Sequence, residues 1–319
     1  MKRQDSAEAI PSREHDATVT VAGVEIACRL TAPVGSARGA VLLVPGSLYS
    51  DVDGNYPSMN WRPHAYADLA RQLGERGFFV LRMAKIGPGT GSRTIAADVA
   101  RRHLDFLTRV DVASAGLASL RHAVSDRPVI VAGHSEGAVV GSLLASGPED
   151  VDIDGVVSLS GPALPILSIM RTQVMGMAPP GVEPDMTLFD RTVAAIRAGD
   201  GVPAEARSHP QTAMLASMPE PAIAYLRSAD RVDPAAALSR VRRPVLIVQG
   251  GRDDSVPPAH ADSLCIARNG QPTELAVFPN LTHFYKVAPA NLTAMEAMAL
   301  ESPSDPAVAD AIAAWARRI

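Results

Sequence analysis

Apolar positions alternate with polar ones between residues 17 and 30, through Val19, Val21, Val24, Ile26 and Leu30, with Gly23 at the turn. This period of two predicts an antiparallel hairpin. The apolar runs that follow are continuous instead of alternating: Ala40 to Val44, Phe78 to Met83, Pro128 to Ala132, Val156 to Leu159, Pro244 to Val248 and Leu275 to Phe278. Short, β-rich runs of this kind are what parallel strands covered on both faces require. Helical spacing occupies the intervals, over Ala65 to Arg76, Thr94 to Val110, Glu136 to Ala145, Ala259 to Ala267 and Asp305 to Arg318. Strand and helix therefore alternate, and the expected class is α/β, a mostly parallel sheet flanked by helices.

One stretch interrupts the alternation. Residues 161–236 contain no convincing strand, many prolines and helix-like pieces such as Leu188 to Arg197. We expect a helical cap there, inserted into a core formed by 17–160 and 237–319, with 1–16 as a flexible leader. Six methionines lie in the insertion, Met170 and Met175 among them. Their flexible, polarizable side chains suit either a substrate-facing lining or the interior of an irregular helical subdomain.

Composition narrows the class. The 319 residues are 47% hydrophobic and 20% charged, which excludes global disorder. A formal charge of −4 without a basic block argues against nucleic acid or an anionic membrane as partner. No apolar run reaches the length of a membrane span, and the polar N-terminus lacks a signal-peptide core, so the expected location is cytoplasmic. Cys28 and Cys265 stand alone, suggesting neither a disulfide nor a metal site, and both read as buried thiols.

The sharpest chemical signal is Gly133-His134-Ser135-Glu136-Gly137, set between a strand and a helix. A G-x-S-x-G in that context is a nucleophile elbow: the glycines permit a tight turn that lifts the serine hydroxyl above the sheet. A hydroxyl needs a base, and the base needs an orienting acid. Asp253 follows a strand in Gly250-Gly251-Arg252-Asp253-Asp254-Ser255-Val256-Pro257, and is preferred over Asp254, read as a solvated or capping carboxylate. His283 follows the next strand and is the expected base. His260 reads as a surface histidine, His103 as a helix-boundary residue and His134 as a packing residue or a minor substrate contact. The N–H groups of Ser47, in Val44-Pro45-Gly46-Ser47, and of Glu136 are the expected oxyanion donors. Gly87-Pro88-Gly89-Thr90-Gly91-Ser92 lacks the ending of a phosphate loop, and Asp51-Val52-Asp53-Gly54-Asn55 lacks the ligand series of a calcium loop.

Together these segments resemble the α/β-hydrolase superfamily, and within it bacterial esterases related to serine aminopeptidases and dienelactone hydrolases, from about Val19 to Lys286. The resemblance implies an α/β-hydrolase fold, a Ser135–His283–Asp253 triad, Ser47 and Glu136 as oxyanion donors, and hydrolysis of a small-molecule carboxylic ester through an acyl-enzyme without cofactor or metal. Thioester, amide or lactone cleavage and acyl transfer use the same triad, and the fold can also serve as a binding protein without turnover. Homo-oligomer formation is compatible with all of these. One departure stands out: the Asp-Lys-Arg-Gly-like turn of such esterases is here Ala84-Lys85-Ile86-Gly87, so the charged network beside it must differ.

Overall fold

The computed structural model describes residues 13–97, 105–124, 126–147, 151–178, 181 and 183–319. Its strands are β1 (Glu14–Val21), β2 (Val24–Thr31), β3 (Gly39–Val44), β4 (Phe78–Met83), the short β5 (Arg93–Thr94), β6 (Val129–His134), β7 (Gly155–Leu159), β8 (Val245–Gly250) and β9 (Thr273–Phe278). Among the described residues they form one sheet in the order β1-β2-β4-β3-β6-β7-β8-β9, with β5 paired to β2. β1, β2 and β5 are antiparallel additions, and from β4 to β9 every neighbouring pair is parallel. The parallel strands thus end along one edge, and that edge collects the loops carrying the candidate chemistry.

Alternation along each strand divides the core in two. Ala40, Leu42, Val44, Val129 and Val131 face a layer containing Leu117 and Leu120 of helix Thr108–Ala123, Val140 and Leu144 of helix Glu136–Ala145, and Leu264 of helix Ala259–Ala267. Val41, Leu43, Ile130, Ala132 and Val157 face Leu69 and Leu73 of helix Ala65–Glu75, and Ile312 and Trp315 of helix Pro306–Ala316. Asp305 caps the last helix by accepting from Ala307 N–H, with Pro306 at its first position, the residue types a helix start favours.

Two expectations need correction. The polar leader ends sooner than residue 16, because β1 begins at Glu14 and pairs Glu14 with Thr31 of β2. The helix expected over 94 to 110 does not begin at its first residue, because Arg93–Thr94 pairs with β2; residues 98–104 of that span lie outside the described residues, and its last three residues fall in helix Thr108–Ala123. Its inner face relies on small residues, Ala113 and Gly116 beside Leu117 and Leu120, so the chain shows little contrast between its two faces. Gly116 lies so close to the sheet that a Cβ there would come within 2.6 Å of Met83 Sδ. His103 falls outside the described residues.

Between β7 and β8 the chain forms helices Ile166–Gly176, Thr187–Ala198, Ala213–Ser217, Glu220–Asp230 and Pro234–Ser239. Leu167, Met170, Val174, Phe189, Val193, Ile196, Leu215 and Ile223 make an apolar cluster of their own. This segment meets the sheet domain through apolar packing of Ala229 and Leu238 and through polar ties, among them Phe106 N–H donating to Ser228 Oγ (2.7 Å) and Gln173 Nε2 to Ser255 O (2.9 Å).

Trp315 lies over Gly155, where an added Cβ would come within 2.5 Å of its indole edge. Replacing this fully buried ring by alanine is expected to destabilise the fold by about 3–5 kcal/mol. Urea unfolding of Trp315→Ala checks this, and a loss of under about 1 kcal/mol would show that the site collapses without a cavity.

Candidate active site

β6 passes into helix Glu136–Ala145 through one residue, Ser135, whose backbone sits at φ 54°, ψ −123°. A positive φ is unfavourable for a side chain with a Cβ, and close packing maintains it here. Ser135 N–H donates to Leu159 O (2.8 Å) and Ser135 O accepts from Ala138 N–H (2.9 Å). A Cβ on Gly133 would lie 2.1 Å from Gly137 O, and one on Gly137 would lie 2.3 Å from Val44 O. Both glycines are thus demanded by backbone contact. The turn also sets Ser135 at the N-terminus of a helix, where partial positive charge favours a developing anion.

Asp253 and His283 arrive on the loops after β8 and β9. His283 Nδ1 lies 2.8 Å from Asp253 Oδ2, and both residues are buried. The other carboxylate oxygen accepts from the N–H groups of Ser255 (3.0 Å) and Val256 (2.8 Å). Burial pushes the Asp253 carboxyl up, but His283 and hydrogen bonds from the Val256 N–H and the Ser160 side chain outweigh it and hold the group below its ordinary range. Gln249, which sequence reading missed, adds a donor 3.4 Å from Oδ2. Asp254 points to solvent. Ser135 Oγ makes no hydrogen bond to His283 among the described residues; the residue before it, His134, packs its ring 4.5 Å, centroid to centroid, from that of His283.

Two side chains, His260 and Cys265, differ from their expected settings, while His134 and Met170 take the packing role that is one of their two expected readings. His134 is 3% exposed and lies against His283, with Nε2 3.0 Å from His283 O and Nδ1 3.2 Å from Tyr66 Oη. Tyr66 Oη already accepts from Gly46 N–H (2.8 Å), so its own proton goes to His134 Nδ1, and His134 Nε2–H donates to the His283 carbonyl. Met170 is buried in the helical cluster, whereas Met175 is partly exposed with its sulfur 2.9 Å from Arg171 Nη1. His260 is buried, its Nδ1 accepting from Ala163 N–H (3.1 Å), and burial lowers its pKa. Cys265 is only half-buried, unlike Cys28.

Ser47 follows β3 by three residues, and its neighbour Gly46 lies against the elbow: a Cβ on Gly46 would lie 3.2 Å from Ser135 Cβ. Beside it is a charged cluster. Glu136 Oε1 accepts from Lys85 Nζ (3.1 Å), from Tyr225 Oη (2.9 Å) and from Arg109 Nη1. The network near the Ala84-Lys85-Ile86-Gly87 turn is therefore completed by Arg109 on helix Thr108–Ala123 and by Tyr225 on helix Glu220–Asp230, neither of which has a local sequence signature. Burial, with Arg109 alongside, lowers the pKa of Lys85, while the Glu136 carboxylate at 3.1 Å favours its charged form. The acidic loop is held by its own side chains, Asp51 accepting from Asp53 N–H, Asn55 N–H and Asn55 Nδ2. Among the described residues no group of His, Cys, Asp and Glu has the arrangement to hold a metal ion, and no helix is long and apolar enough to cross a membrane.

The model of the alpha/beta hydrolase family matches residues 41–299, a span that includes every element of this site. The chain belongs to the α/β-hydrolase family. This α/β-hydrolase is 30% identical over 240 residues to rhodomycin D methylesterase DnrP of Streptomyces peucetius, covering 66% of the present chain and 76% of the relative. It is 26% identical to esterase EstD of Thermotoga maritima, covering 96% of the present chain and 68% of the relative. Among solved structures, Est1E from Butyrivibrio proteoclasticus superposes with a TM-score of 0.56 at 16% identity, over 95% of this chain and 98% of that one. A dienelactone hydrolase from Anabaena variabilis gives 0.53 at 17%, over 97% and 98%.

In this hydrolase, burial, with His283 adjacent, lowers the pKa of His134 to about 3. The unfolded chain takes up that proton near the ordinary value of about 6.5, so the stabilisation is complete above that pH and is lost as pH falls toward the folded value. Between pH 7.5 and 5 the loss due to His134 should approach about 2 kcal/mol. Urea unfolding at both values, compared with His134→Gln, measures it: the variant should lose correspondingly less, and equal losses would refute the assignment.

Proposed function

We propose that this chain is a serine hydrolase that cleaves a carboxylic ester through an acyl-enzyme. The observations carrying the reading are the buried His283–Asp253 pair, 2.8 Å apart, and a serine at positive φ on the strand-to-helix turn. The names of the relatives support an ester as the bond cleaved: two are methylesterases and one is an esterase. Helices 166–239 serve as the cap, with substrate entering between them and the strand ends.

In acylation, Ser135 Oγ forms a bond to the ester carbonyl carbon while its proton passes to His283 Nε2, and the carbonyl π pair moves onto oxygen. Asp253 holds the imidazole by Nδ1–H and offsets its positive charge. The N–H groups of Ser47 and Glu136 receive the oxyanion. Collapse breaks the bond to the alcohol oxygen, which leaves with the proton from His283. Water then attacks the acyl carbon, giving its proton to His283, and the second tetrahedral intermediate expels Ser135 Oγ, which recovers that proton as the acid departs.

A fluorophosphonate probe followed by intact-mass measurement tests the nucleophile: one adduct is expected on the parent and none on Ser135→Ala, while an adduct on both would place the nucleophile elsewhere. Asp253→Asn should keep the fold and lower kcat about 10⁴-fold, because the amide stabilises the wrong tautomer of His283. A loss below tenfold in nitrophenyl ester turnover would remove Asp253 from its role.

A further inference from the structure

A backbone N–H is aimed by whatever grips the rest of its peptide unit. The Ser47 N–H shares a peptide with Gly46 O, and that oxygen accepts from Lys85 Nζ at 3.1 Å and from Arg109 Nη1 at 3.5 Å. The preceding carbonyl, Pro45 O, accepts from Arg109 Nη2 at 2.9 Å. On the opposite edge, Gly46 N–H donates to Tyr66 Oη at 2.8 Å. The same two cations bind the carboxylate of Glu136, the residue whose N–H is the other proposed donor, with Tyr225 Oη as a third ligand on Oε1. The side chains of Lys85, Arg109 and Glu136 are respectively 11%, 13% and 7% exposed. In so dry a setting their geometry is fixed before substrate arrives, and their charge acts through a low local dielectric.

We propose that Lys85 and Arg109 are positioning residues for the oxyanion hole, clamping the Gly46–Ser47 peptide and the Glu136 side chain so that both N–H donors converge on one point. This rests on the esterase reading above and assigns work that neither the triad nor the elbow performs. A cation on the carbonyl of a peptide polarises that unit and strengthens its N–H as a donor, and two cationic side chains against one carboxylate bias the surroundings toward negative charge. Both effects are greatest when the substrate oxygen becomes anionic, so they lower the barrier without tightening substrate binding. Tyr225 belongs to helix Glu220–Asp230, so the clamp also reads whether that helix is seated against the elbow. Arg109 Nη1 lies 3.3 Å from its hydroxyl.

Lys85→Met is the direct test, since it removes the cation but leaves Glu136 paired with Arg109 and Tyr225. We expect a folded variant whose kcat is about 10–10²-fold lower with KM changed less than about twofold. A trifluoromethyl ketone, which forms a hemiketal oxyanion on Ser135, should lose affinity by the same factor as kcat/KM, while the corresponding alcohol, which forms none, should bind as before. Lys85→Arg should recover most of the rate. Should Lys85→Met not fold, Lys85→Gln, which keeps a donor for Gly46 O without the charge, is measured instead, and the same loss in the ketone series is expected. Unchanged kcat, or a loss carried by KM alone, overturns the clamp. Fluorophosphonate labelling separates the two levels: an unlabelled parent defeats the esterase reading and the clamp with it, whereas a labelled parent and an equally fast Lys85→Met defeat the clamp alone.

Discussion

The backbone turn at Ser135 is the constraint around which the site is built. A non-glycine residue at positive φ costs on the order of 1–3 kcal/mol, and it persists only because neighbouring backbone over-determines it. Here strand β6 on one side, the helix on the other and the carbonyl of Leu159 hold the turn from three directions. Gly133 and Gly137 let these backbones approach to distances at which any Cβ would overlap a carbonyl. Once the turn is fixed, Ser135 and the helix N-terminus stand at the C-terminal end of β6.

Two layers support that turn. Asp253 and His283 reach it from the loops after β8 and β9, and the carboxylate is immobilised by backbone donors of its own loop before it holds the imidazole. Behind them a chain of hydrogen bonds runs from Gly46 N–H through Tyr66 and His134 to the His283 carbonyl. The loop after β3 and the His283 loop are thus joined by a neutral, buried relay, while the charged cluster of Lys85, Arg109 and Glu136 braces the other side. The neutral braces lie behind the imidazole and the charged ones beside the proposed oxyanion donors, an arrangement suited to a reaction in which negative charge develops on one oxygen.

Much of this was legible in the sequence because it is local. Continuous apolar runs marked the parallel strands, and helix Ala259–Ala267 fell where its spacing put it. Ser135, Asp253 and His283 each follow a strand end within a few residues, so the sheet alone brings them to one edge. What the sequence hid is long-range or low in contrast. Arg109 and Tyr225 are separated from Glu136 by 27 and 89 residues and carry no motif, and Tyr66 is an ordinary amphipathic-helix residue until its hydroxyl meets Gly46. Helix Thr108–Ala123 escaped because small residues line its inner face, and His260 was read as exposed because its partner, the Ala163 amide, lies 97 residues away.

The central claim is that Ser135 is the attacking atom's residue, and steady-state ester turnover by Ser135→Ala tests it most directly. With the fold verified by thermal unfolding, kcat should fall by a factor on the order of 10⁶, leaving only what binding and the oxyanion donors supply. Retention of activity within tenfold of the parent would contradict the assignment of the nucleophile and the mechanism built upon it.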